Sequence, residues 1–189
     1  MKKSFLIGLL VFSLVALLVV GGTMAWFTDT KEASNKFTAG TVKIQILENG
    51  QTNPVVKENV NPGDIYDKEV KVESLGSKRT YVRVSINPVW EGNLPINNVN
   101  LIFADGELGT HWVDGGDGWY YYKHILAAGA VTVPLLSKVE IIGSLTGDDY
   151  QGKKLTVNVK AEAVQASHEA YKDAWGLSNM PTGIEPWTE

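Results

Sequence analysis

Leu155-Thr156-Val157-Asn158-Val159-Lys160-Ala161-Glu162-Ala163 sets Leu155, Val157, Val159, Ala161 and Ala163 against Thr156, Asn158, Lys160 and Glu162 with a period of two. Side chains of a strand alternate between two faces, whereas a helix would scatter this pattern around its circumference. The stretch therefore reads as a strand with one face on a core. The same period recurs toward the N-terminus. Thr41 to Leu47 sets Val42, Ile44 and Ile46 against Lys43 and Gln45, Asp67 to Glu73 alternates through Val70 and Val72, and Thr80 to Asn87 sets Val82, Val84 and Ile86 against Tyr81, Arg83 and Ser85. Only Gly76 and its neighbours separate the last two, so they are expected to pair as neighbours in one sheet.

Turn signals divide the rest. Asn49-Gly50 and Asn61-Pro62-Gly63-Asp64 bracket a short strand at Val55-Val56, with Pro presetting φ and Gly supplying positive φ. Trp112-Val113 and Trp119 to Lys123 flank Asp114-Gly115-Gly116-Asp117-Gly118 as two aromatic strands joined by a Gly-rich turn. Ala128-Gly129 precedes apolar runs at Val131 to Leu136 and Val139 to Ile142, while 90–109 reads as irregular around Leu101-Ile102-Phe103. Room for helix remains only at His124 to Ala128 and Ser167 to Trp175. Many short strands separated by turns predict an all-β fold, an antiparallel β-sandwich. Beyond Gly176, the residues Pro181, Gly183 and Pro186 predict a loosely ordered tail that Trp187 could tack down.

The N-terminus follows different rules. Lys2 and Lys3 precede an apolar run from Phe5 to Val20 broken only by Gly8 and Ser13, and then Gly21-Gly22-Thr23-Met24-Ala25 places small residues at Thr23 and Ala25. A charged segment, an apolar segment and a small-x-small box make a signal peptide, with cleavage after Ala25 and Trp26 as the new N-terminus. Phe5 to Ala25 is also long enough to cross a bilayer as a retained helix. A stop-transfer anchor, however, favours a positive cluster beyond it, and Lys31 stands alone there. The expected organisation is a signal peptide at 1–25, an N-terminal arm at 26–40, a sandwich domain at 41–166 and a C-terminal segment at 167–189.

Composition narrows the functions. The 189 residues lose 25 on processing, and one domain of the remaining 164 buries a real core. Removing Lys2 and Lys3 takes 17 basic residues to 15 against 21 acidic ones, a formal charge of −6. Such a balance argues against a nucleic-acid partner, which needs clustered Lys and Arg. Without cysteine there is no disulfide framework, no thiol catalysis and no Cys-ligated zinc. Nineteen glycines, six Trp and seven Tyr suit a sheet protein with many tight turns.

Thr23-Met24-Ala25-Trp26-Phe27-Thr28-Asp29, followed by Phe37-Thr38-Ala39-Gly40-Thr41-Val42, resembles the start of the camelysin/TasA family of exported Gram-positive matrix proteins. Pro62-Gly63-Asp64, Tyr81-Val82-Arg83-Val84, Asp117-Gly118-Trp119-Tyr120-Tyr121-Tyr122-Lys123, Ala161 to Ala166 and Ala174-Trp175-Gly176 are similar to further segments of such proteins. The resemblance implies a jelly-roll-like sandwich, a SipW-type signal peptidase as processing partner, membrane contact only before processing, and a place in the extracellular matrix or on the cell surface beside copies of itself or related subunits. It also implies assembly by strand exchange, with Trp26, Phe27, Thr28, Asp29 and Phe37 in the donated arm. The alternative for the arm is to fold back as a first strand of its own domain.

The chemical motifs are incomplete. His168-Glu169 is the first half of a zinc-peptidase helix, but the second His is replaced by Lys172, and the chain has only His111 and His124 besides. Camelysin is described as a protease, yet no motif here carries that activity, and the residues predict a non-enzyme without cofactor. Asp114 and Asp117, and Asp148 with Asp149, are weak calcium candidates on tight turns, and each pair reads more simply as a turn. Gly143-Ser144 lacks the flanking glycine of a nucleophile elbow. The aromatic run from Trp119 to Tyr122 suits a sugar platform less well than core and cross-strand pairing. A structural subunit of surface fibres or biofilm matrix is therefore the expected function, with a metal-dependent protease or a carbohydrate-binding adhesion module as alternatives.

Overall fold

The computed structural model describes residues 40–52, 61–104, 106 and 108–188. The expected signal peptide, nearly all of the expected arm and the short strand expected at Val55-Val56 lie outside these residues. From Gly40 onward the chain forms one compact unit. Its strands are β1 (Ile44–Glu48), β2 (Ile65–Ser74), β3 (Thr80–Trp90), β4 (Val99–Phe103), β5 (Trp112–Asp114), β6 (Tyr120–Tyr122), β7 (Leu136–Ile141) and β8 (Leu155–Gln165), followed by one short helix, α1 (Ala170–Trp175). Two antiparallel sheets result, ordered β1-β2-β7-β4 and β5-β6-β3-β8. The all-β expectation holds.

The alternation in the sequence becomes the two sides of each sheet. Val70 and Val72 of one sheet and Val82 and Val84 of the other are fully buried in the shared core, with Trp90, Trp112, Leu136 and Ile141. The Trp90 indole N–H donates to the Asn98 side-chain oxygen at 2.9 Å, and Asn98 in turn donates to Thr146 at 3.0 Å. Trp112 donates to the Val133 carbonyl at 3.2 Å. Burial of both large rings thus leaves neither indole N–H unsatisfied.

β2 and β3 do not pair, contrary to the expectation that 67–73 and 80–87 are sheet neighbours. β2 lies between β1 and β7, and β3 between β6 and β8. After β2 the chain hydrogen-bonds to the residues just ahead of β1 instead of turning back: Leu75 donates to the Lys43 carbonyl at 2.8 Å and Ser77 to the Thr41 carbonyl at 3.0 Å. Gly76 permits this crossing, because a Cβ there would meet the Thr41 carbonyl oxygen at 2.3 Å. The connection therefore spans the end of the sandwich, and the two apolar faces oppose each other.

Three further expectations change. Residues 124–128 are not helical, because Leu126 exchanges two main-chain hydrogen bonds with Thr80, each of 2.9 Å. Leu101-Ile102-Phe103 is part of β4 rather than an irregular stretch. The tail after Gly176 is tied down: Glu185 donates its N–H to the Lys123 carbonyl at 2.7 Å, and Tyr81 donates its hydroxyl to the Glu185 carbonyl at 3.0 Å.

Candidate functional site

Strand β8 is an edge. Its eleven residues pair with β3 in unbroken register from Leu155↔Trp90 to Gln165↔Thr80, and nothing in the sheet order lies beyond it. Ala166 donates to the Arg79 carbonyl and Glu91 donates to the Lys154 carbonyl, so even-numbered residues face β3. By antiparallel alternation the main-chain groups of residues 155, 157, 159, 161 and 163 point away from the sheet. Their side chains belong to the core, where Val157, Val159, Ala161 and Ala163 are only partly buried. β1, the edge of the other sheet, likewise contributes the partly buried Ile44 and Ile46. Here the core is bounded by open main chain.

The outer face of the second sheet is covered. Tyr81, Val164 and Ala166 form a second apolar cluster with Tyr171, Trp175, Met180, Ile184 and Trp187 of the C-terminal segment. Beside it Arg83 lies between two indoles, its guanidinium carbon 4.2 Å from the Trp119 ring centre and 4.6 Å from that of Trp175. The same guanidinium donates to the Glu162 carboxylate from Nε at 3.1 Å and Nη2 at 2.7 Å, and to the Tyr121 hydroxyl at 3.3 Å. Burial alone would raise the Glu162 carboxyl, but hydrogen bonds from Lys160 and Arg83 outweigh it and hold the group below the usual carboxylate range. Burial raises the Tyr121 phenol, and its hydrogen bond to Asp117 adds to the effect.

Sequence-predicted site residues divide sharply. Thr23, Ala25, Trp26, Phe27, Thr28, Asp29 and Phe37 lie outside the described residues. Asp114 and Asp117 sit in the β5–β6 turn and serve it: Asp114 accepts from the Gly116 N–H at 2.8 Å, and Asp117 from the Trp119 N–H at 3.0 Å and the Tyr121 hydroxyl at 2.6 Å. Asp148 and Asp149 open a separate 3-10 turn after β7. Among the described residues no three His, Asp or Glu side chains cluster so as to hold a metal. The hairpin brings the His111 and His124 rings to 5.4 Å between centres, and His168 sits instead before α1.

Sequence reasoning missed two features. Alternation sets Arg83 on the face opposite Val82 and Val84, yet it is buried there under Trp119 and Trp175. Lys68 and Glu48 form a buried ion pair at 2.6 Å. Lys68 shares its parity with the core residues Val70 and Val72, a signal visible in the alternation.

Together these features define an all-β sandwich protein whose distinguishing surfaces are an open strand edge and a sheet face clasped by the C-terminal segment. Residues 1–87 match the family model described as camelysin metallo-endopeptidase. The chain is also 36% identical over 77 residues to the "Major biofilm matrix component" of Bacillus subtilis (strain 168), a match covering 41% of this chain and 29% of that relative. The family model matches 87 of the 189 residues and the chain spans less than a third of that relative's length, so both are likenesses of part of the chain. No solved structure matches it. Among the described residues no helix is long and apolar enough to cross a membrane.

Proposed function

We propose that this protein is an exported structural subunit of an extracellular matrix, released by a SipW-type peptidase after Ala25 and polymerised by donating its N-terminal arm to the next subunit. The observation that carries the matrix role is the 36% identity to a protein named as a major biofilm matrix component. Strand exchange is supported by the open β8 edge, since an extended segment satisfies such main-chain groups as an added strand. Trp26, Phe27 and Phe37 would anchor the arm, and residues 26–40 contain no Pro to interrupt pairing. Head-to-tail donation is heterologous and need not close, which is the geometry of filaments. The succession of the eight strands between the two sheets supports a jelly-roll variant in which β1 and β5 pair with their chain neighbours β2 and β6.

N-terminal sequencing of the extracellular protein tests the processing step, with Trp26 as the expected first residue. Protein beginning at Trp26 should form fibres visible by electron microscopy, and protein beginning at Thr41 should stay monomeric and folded. Equal fibre formation by both would sink the exchange mechanism. A second reading, a metal-dependent protease, is favoured by the description of the matching family model. Chelator-sensitive cleavage of casein by protein free of host proteases would establish it in place of a purely structural role.

A further inference from the structure

A cleft of about 340 Å³ lies where the C-terminal segment meets β3. That volume is near the small end of ligand-site sizes. Tyr81, Tyr171, Trp187 and Met180 are among its lining residues, with His168 and Glu169 at the turn into α1. Three independent observations distinguish it from a packing gap.

The first is backbone conformation. His168 and Glu169 are consecutive non-glycine residues with φ of 58° and 50°. A single such residue is uncommon and two together are costly, and strain of this kind collects where side chains must be held for a purpose. The second is hydrogen-bonding capacity left to solvent at the mouth of the cleft, where His168 is exposed and Tyr171 half-buried. Among the described residues neither the His168 imidazole nor the Tyr171 hydroxyl has a hydrogen-bond partner. The third is charge. Glu169 is paired with Lys172 at 2.8 Å, Glu185 accepts from the Ile125 N–H at 3.1 Å and lies 3.7 Å from His124, and Arg79 stacks 4.8 Å from the Trp187 ring centre. The two lining carboxylates thus have partners of their own, Glu169 on Lys172 and Glu185 on the Ile125 N–H, and neither is left to draw a cationic ligand.

Aromatic and apolar walls combined with uncharged polar groups match a molecule that is apolar on its ring faces and hydroxylated around its edge. We propose that this cleft binds one pyranose unit of a neutral polysaccharide, with the ring against the aromatic wall and its hydroxyls on His168 and Tyr171. The Trp119 to Tyr122 run does not offer the same surface. Trp119 carries two cations, Arg83 and Lys160, over its ring against the one, Arg79, on Trp187, and Tyr120, Tyr121 and Tyr122 pack on Phe103, Trp175 and Trp112.

Titration of the full chain with trisaccharides of glucose, galactose and N-acetylglucosamine, read by tryptophan fluorescence and saturation-transfer NMR, tests this inference. Saturable binding of at least one sugar is expected, with a dissociation constant on the order of 1 mM for so small a contact. His168→Gly and Tyr171→Phe should each weaken it by about tenfold or more. Glycine adopts the φ at 168 without strain, so the His168→Gly protein should melt no lower than the parent, which separates lost binding from lost fold. Trp119→Phe should leave the titration unchanged. Absence of saturable binding to all three sugars would overturn the inference, as would binding that survives both cleft variants or depends on Trp119 instead.

Discussion

Lys68 and Glu48 form an ion pair inside the sandwich, with side chains 6% and 8% exposed. Two charges withdrawn from water are held by their mutual attraction, so removing Glu48 leaves the Lys68 ammonium buried without its carboxylate. Glu48→Leu alone should cost roughly 3–5 kcal/mol in denaturant unfolding, whereas the double variant with Lys68→Met should recover most of that loss. Equal losses in single and double variants would show that the pair contributes only its volume. Glu162 makes a pH-dependent contribution. Its carboxyl titrates below its ordinary value of 4.5 in the fold, so its stabilisation is fully present above that value and is lost as pH falls through the depressed one. Thermal melts should show Glu162→Gln less stable than the parent at neutral pH, with the difference shrinking as pH drops below 4.5.

At the scale of elements, the C-terminal segment is part of the sandwich rather than an appendage. α1 has only six residues and ends at Gly176 with φ of 68°, far too short to hold itself in water. Tertiary contact supplies what length cannot: Trp175 lies over Arg83 and edge-on to Tyr121, with ring centres 5.9 Å apart. Trp175→Ala should destabilise the protein by about 2–4 kcal/mol through lost burial and the lost cation–π contact. Limited proteolysis should then cut within 167–188 before it cuts the strands. Resistance equal to that of the parent would show that Tyr81, Trp187 and Glu185 hold the segment unaided.

For the whole molecule, the two sheets leave β8 as a long edge, and Lys160 on its exposed face is the kind of charge that discourages unwanted pairing. Residue 161 turns its main-chain N–H away from β3, so Ala161→Pro removes an outward donor without breaking the ladder within the domain. If the arm of a neighbouring subunit docks on this edge, Ala161→Pro in protein beginning at Trp26 should keep the parent circular-dichroism spectrum and lose fibre growth. Fibres growing at the parent rate would place the acceptor on another edge, such as β4.

The sequence by itself determined β2, β3 and β8 and the face of each that is apolar, because a period of two is written locally in Val70-Lys71-Val72, Val82-Arg83-Val84 and Leu155 to Ala163, whereas β4 reads locally as irregular. It also placed the Asp114 to Gly118 turn, whose Asp and Gly residues direct the chain without help from afar. Strand partners were not legible. Alternation says which side of β2 is buried but not what buries it, and the crossing at Gly76 is set by main-chain bonds to Thr41 and Lys43, more than thirty residues earlier. Nor was the burial of Arg83 legible, since Trp175 reaches it from more than ninety residues away. The cleft beside Tyr81 joins β3 to the last residues described, and only tertiary structure brings them together.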